Sequence, residues 1–140
     1  MAYVMIVDDD EDFALAVATV LREAGHEVRL ELDTSSAVQS MELRQPELAI
    51  LDVMFPDNSS AGFELARTMR LHNERLRGIP ILFLTAVNQR FPLGFSARDV
   101  DDTWLPADDF LEKPVSLELL RTRVEALLRN KASASKEPRS

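Results

Sequence analysis

Cysteine is absent from the 140-residue chain, which excludes disulfide crosslinks and any thiolate zinc site. No stretch of apolar residues approaches the length of a membrane-spanning helix. A targeting segment is missing too, because Met1-Ala2-Tyr3-Val4-Met5-Ile6-Val7-Asp8 has no basic flank and only a short apolar run before the first acid. Positive charge is scarce. Against 24 Asp and Glu stand 16 Lys and Arg, and the formal charge of −8 disfavours sequence-independent attraction to nucleic acid or an anionic membrane. The expectation is a cytoplasmic protein with no nucleic acid and no membrane among its partners. The remainder is ordinary: 46% hydrophobic and 29% charged residues are globular proportions, and the length suits one core. What needs explaining is the surplus of acid.

Short apolar runs alternate with segments of helical period, the pattern of βα units around a parallel sheet. Tyr3 to Val7 predicts a strand buried on both faces, ending in Asp8-Asp9-Asp10. Phe13, Val17, Val20, Leu21 and Ala24 then form one helical stripe, with Gly25 placed to cap it. Glu27 to Leu32 predicts a second strand, Thr34 an N-cap, and Ser35 to Arg44 a helix that Gln45-Pro46 stops. A third strand, Leu48 to Leu51, again ends in an aspartate, Asp52. Residues 62 to 75 carry Phe63, Ala66, Met69 and Arg70 at helical spacing. Ile79 to Leu84 is a fourth strand ending at Thr85, with Pro80 at its start, where no ladder donor is lost. After Thr85, Pro92, Gly94 and Pro106 interrupt any long helix. Order returns with a short strand from Asp108 to Glu112 and a last helix capped by Ser116, whose stripe is Leu117, Leu120, Val124, Leu127 and Leu128. Residues 1–129 are thus one domain, and 130–140, poor in large apolar residues, are expected to be a disordered tail.

In open parallel sheets ligands bind outside the carboxyl ends of the strands, where residues that follow separate strands converge. Asp8 and Asp9, Asp52, Thr85 and Lys113 occupy those positions. Three neighbouring carboxylates suit a hard divalent cation such as Mg²⁺, and a lysine and a hydroxyl beside them suit a phosphoryl group. Plainer roles suffice elsewhere. Glu11 and Asp12 complement a helix dipole, Thr85 also reads as a β-branched strand residue, and Phe110 as core packing. An EF-hand reading of Asp8, Asp10 and Asp12 fails because the next residue is Phe13 rather than glycine. His26 and His72 lie at segment ends and read as solvent-facing.

Four elements, Val7-Asp8-Asp9-Asp10, Leu51-Asp52-Val53-Met54-Phe55-Pro56, Leu84-Thr85-Ala86 and Asp108-Asp109-Phe110-Leu111-Glu112-Lys113-Pro114-Val115, each fall at a predicted strand end. In that order they closely resemble the CheY-like receiver domain of two-component response regulators, over about Tyr3 to Leu128. The resemblance implies a doubly wound, flavodoxin-like (βα)5 sandwich with a five-stranded parallel sheet in the order 2-1-3-4-5. It implies that Asp52 is the phosphoacceptor, taking a phosphoryl group from a histidine kinase or histidine phosphotransfer protein. Asp9, Asp52 and the backbone carbonyl of Met54 would hold Mg²⁺, with Asp8 acting through metal-bound water. Lys113 would neutralise phosphoryl charge, aimed by a cis peptide to Pro114. Thr85 would hydrogen-bond the phosphoryl group, and Thr85 with Phe110 would form the switch. Such a protein is not an enzyme beyond its own phosphorylation and dephosphorylation, and its output goes to a downstream protein target.

Two stretches depart from the family's pattern. Asp57 to Ala61 lengthens the loop before the third helix, and an atypical extended region between the fourth and fifth strands replaces most of a regular helix. Phe91, Leu93, Phe95, Trp104 and Leu105 in that region would form either a partner patch or a small cluster of their own. The chain stops soon after its last helix, which leads to the expectation of a receiver without an effector domain, or of one cut from a longer protein. Two alternatives stand beside the switch. One is a degenerate receiver that binds partners without phosphorylation. The other is a haloacid-dehalogenase-type phosphohydrolase using Asp8, which leaves Asp52 without a role.

Overall fold

The computed structural model describes residues 2–52, 61–71, 74–86, 108–113 and 115–136. Five parallel strands form one sheet: β1 (Tyr3–Val7), β2 (Glu27–Glu31), β3 (Leu48–Asp52), β4 (Ile81–Ala86) and β5 (Asp109–Lys113), in the order β2-β1-β3-β4-β5. Helices α1 (Glu11–Glu23), α2 (Thr34–Leu43), α3 (Ala61–Leu71) and α4 (Leu117–Lys136) connect or follow them. This is the expected order and the doubly wound fold.

The apolar runs are continuous because side chains alternate between two covered faces. Val4 and Ile6 of β1, Leu48 and Ile50 of β3, and Leu82 and Leu84 of β4 pack with Val17 and Leu21 of α1 and Leu120 and Val124 of α4. Their neighbours Met5, Val7, Ala49, Leu51, Ile81 and Phe83 pack on the other face with Ala37 and Met41 of α2 and Phe63, Ala66 and Met69 of α3. At one edge, β2 shows an alternating, half-exposed pattern.

Several boundaries differ from expectation. The first helix ends as predicted: Gly25 adopts φ 98°, and the N–H groups of Gly25 and His26 return to the carbonyls of Arg22 and Leu21. At α2 the N-cap is Asp33, not Thr34, because the aspartate carboxylate accepts the Ser36 N–H at 2.8 Å and Thr34 is already helical. Ser116 caps α4 as expected, its hydroxyl accepting the Leu119 N–H at 3.0 Å. The third helix spans Ala61–Leu71, and residues 74 and 75 lie in a turn rather than in the helix. The last one continues to Lys136, into the stretch whose composition argues for disorder. Ala132 and Ala134 favour helix, and extending a helix already anchored by Leu120 and Val124 avoids the cost of nucleation.

His26 is not solvent-facing. Its side chain is 7% exposed, with Nδ1 accepting the Ala2 N–H at 3.1 Å and Nε2 at 3.1 Å from the Glu125 carboxylate. Its partner on α4 lies 99 residues away, beyond the reach of any local pattern. His72 lies outside the described residues, as do most of the lengthened loop after Pro56, the region 87–107 with its aromatic candidates, and Ser140 with the three residues before it.

Candidate functional site

Parallel register builds the site. Val7 of β1 pairs with Leu51 of β3, so one step further the chain sets Asp8 beside Asp52. Asp52 itself pairs with Leu84, the residue before Thr85, and on the next strand Thr85 pairs with Glu112 and Ala86 with Lys113. The predicted site residues of four strands therefore meet at one end of the sheet. Met54 lies outside the described residues, as does Pro114, so the expected backbone ligand and the peptide geometry at Lys113-Pro114 do too.

Asp8, Asp9 and Asp52 converge, each offering a carboxylate oxygen, and these oxygens lie within 4.8 Å of one another. Asp8 is 1% exposed and Asp52 5%, whereas Asp9 is exposed. Two buried like charges at this spacing are unfavourable alone. Their chemistry fits Mg²⁺, which prefers hard oxygen ligands at about 2.1 Å in an octahedron, so that ligands across the ion lie about 4.2 Å apart. Phe110 pairs with Phe83 along the sheet and packs, half-buried, against the core layer on the α2 and α3 side.

Glu31, unremarked in the sequence, supports the site from the edge strand. Its backbone carbonyl accepts the Asp8 N–H at 3.0 Å. Its buried carboxylate receives Arg29 Nε at 2.6 Å and the hydroxyls of Ser36 and Ser40 on α2. Burial pushes its pKa up, but the donors from Ser40, Arg29 and Ser36 outweigh it and hold the carboxyl below the ordinary glutamate value. The folded state thus binds this proton less tightly than the unfolded chain. Its contribution to stability is full above the ordinary value and is lost as pH falls through the lowered one. Glu31→Gln is expected to cost about 2 kcal/mol at neutral pH and to flatten the acid limb of stability. Urea unfolding over a pH series checks this; parallel acid limbs in the two proteins would rule it out.

A family model for the response regulator receiver domain matches residues 4–125. The chain belongs to this family. The transcriptional regulatory protein GltR of Pseudomonas aeruginosa is 39% identical over 126 residues, covering 90% of this chain and 48% of that protein. The alkaline phosphatase synthesis transcriptional regulatory protein PhoP of Bacillus subtilis is 32% identical over 132 residues, covering 94% and 50%. The chain spans about half the length of these relatives. A crystal structure of a response regulator from Chloroflexus aurantiacus superposes with a TM-score of 0.76 at 31% identity, covering 91% of this chain and 98% of that one. A receiver is the phosphoacceptor module of two-component signalling, and the Asp8, Asp9 and Asp52 cluster is consistent with its phosphorylation site. The relatives are signalling regulators rather than conventional enzymes. The match decides against the phosphohydrolase alternative. Among the described residues, no helix is long and apolar enough to cross a membrane.

Proposed function

We infer that Asp52 is the phosphoacceptor and that it takes a phosphoryl group from a phosphohistidine of a histidine kinase or phosphotransfer protein, in a Mg²⁺-dependent reaction. The observation that carries this reading is the three-carboxylate cluster at the strand ends of a receiver fold. The Asp52 carboxylate attacks phosphorus, the bond from phosphorus to the histidine nitrogen breaks, and an acyl phosphate forms on the aspartate. Asp8, Asp9, Asp52 and the carbonyl of Met54 are the residues that would hold the cation. Bound there, Mg²⁺ supplies positive charge against the carboxylates and the incoming phosphoryl oxygens. Lys113 neutralises phosphoryl charge from β5, Thr85 donates a hydrogen bond from β4, and Phe110 answers the movement of Thr85. Positioning and charge neutralisation do most of the work in such a transfer.

The protein catalyses only its own phosphorylation and dephosphorylation, in the cytoplasm, and its output passes to a downstream protein. For these 140 residues the formal charge of −8 supports protein contacts over nucleic acid or an anionic membrane. Incubation with radiolabelled acetyl phosphate tests the reading directly. Label is expected with Mg²⁺ and only background in excess chelator. Undiminished labelling in chelator would exclude the metal, and absence of label under all conditions would favour a phosphorylation-independent interaction module.

A further inference from the structure

Asp10 is the acid of the Asp8-Asp9-Asp10 run that neither the cation site nor phosphoryl transfer uses. It lies in the turn between β1 and α1 with φ −83° and ψ 92°, and its groups reach both ways along the chain. Forward, its Oδ1 accepts the Phe13 N–H at 3.1 Å and its carbonyl accepts the Ala14 N–H at 3.0 Å, which makes it the N-cap of α1. Backward, its own N–H donates to Asp8 Oδ1 at 2.9 Å. The capped turn and the buried carboxylate are therefore mechanically one unit, with the exposed Asp9 between them in the chain.

Resting on the proposed cation site, we propose that Asp10 is a positioning residue for it. By capping α1, Asp10 fixes the turn that aims its backbone N–H at Asp8, and this hydrogen bond sets the rotation in which the Asp8 carboxylate meets the cation. The role belongs to the cap rather than to the negative charge, because the Asp10 carboxylate is directed at the first turn of the helix. Hydrogen-bond partners behind a ligating group commonly change metal affinity by about 10-fold to 100-fold. Asp10 acts through the orientation of its N–H rather than by removing it, so the lower end of that range applies.

Calorimetric titration of the 140-residue chain with Mg²⁺, at a temperature where circular dichroism shows every variant folded, provides the test. Asp10→Ala is expected to raise the Kd for Mg²⁺ about tenfold. Asp10→Asn and Asp10→Ser, both good caps without the charge, are expected to stay within about twofold of the unsubstituted chain. A role confined to helix stability would lower the melting temperature of Asp10→Ala and leave its Kd in place, which overturns the proposal. An Asp10→Asn variant as weak as Asp10→Ala overturns it as well, since charge would then be the operative property. If the unsubstituted chain binds no Mg²⁺, the proposed function fails, and this inference with it.

Discussion

Asp52→Asn is expected to lower phosphoryl labelling by acetyl phosphate at least about a thousandfold while the protein stays folded. The carboxylate oxygen is the nucleophile in the proposed transfer, and an amide of the same shape lacks both the charge and the nucleophilicity. The fold should tolerate the change. Asp52 is 5% exposed beside Asp8 at 1%, so the amide removes one of two buried like charges that repel when no cation is present. Asp8→Ala supplies the contrast, because Asp8 serves the cation and its loss should slow labelling without relocating it. Label that persists on Asp52→Asn and vanishes on Asp8→Ala would place the nucleophile at the end of β1 instead. Mass spectrometry of the labelled protein reads the position directly.

The central strands were legible because burial on both faces leaves no polar position to interrupt the run, as in Tyr3–Val7 and Leu48–Asp52. The site was legible for a related reason. Acid at the end of an otherwise apolar run stands out, so Asp8 and Asp52, both buried, mark the strand ends and the candidate site. Interactions made across long sequence distances or by ambiguous residues were not legible. Glu31 looks like one more charge on a half-exposed edge strand, and only the fold brings Ser36 and Ser40 of α2 onto its carboxylate. His26 carried no local sign of Glu125. Asp33 and Thr34 are both good caps, and the sequence alone does not choose between adjacent candidates; the Asp33 carboxylate prevails by accepting from both Ser35 and Ser36. Asp10 was visible as an acid but not as a link, because a hydrogen bond from its backbone leaves no trace in residue type.

Phe83→Ala is expected to cost about 4 kcal/mol of stability. Phe83 is fully buried in β4, between Leu51 on β3 and Phe110 on β5, and its ring meets that of Phe63 on α3 edge to face, with centroids 5.4 Å apart and an interplanar angle of 80°. Truncation removes the transfer free energy of the ring, leaves a cavity that a rigid central strand cannot close, and forfeits an aromatic pair worth about 1 kcal/mol. Against a typical total of about 5–15 kcal/mol this is a large share of the fold's stability. Phe83→Leu keeps most of the volume and should cost less than half as much. The same position also bears on the site, since Leu51 precedes Asp52 and Phe83 stands two residues before Thr85. Urea unfolding measures the stability term. A cost below about 1 kcal/mol for Phe83→Ala would mean that the layer on the α2 and α3 side is loosely packed. Mg²⁺ titration of the folded variant then separates the two roles: a cavity confined to the core leaves cation affinity unchanged, whereas displacement of β3 against β4 weakens it along with stability.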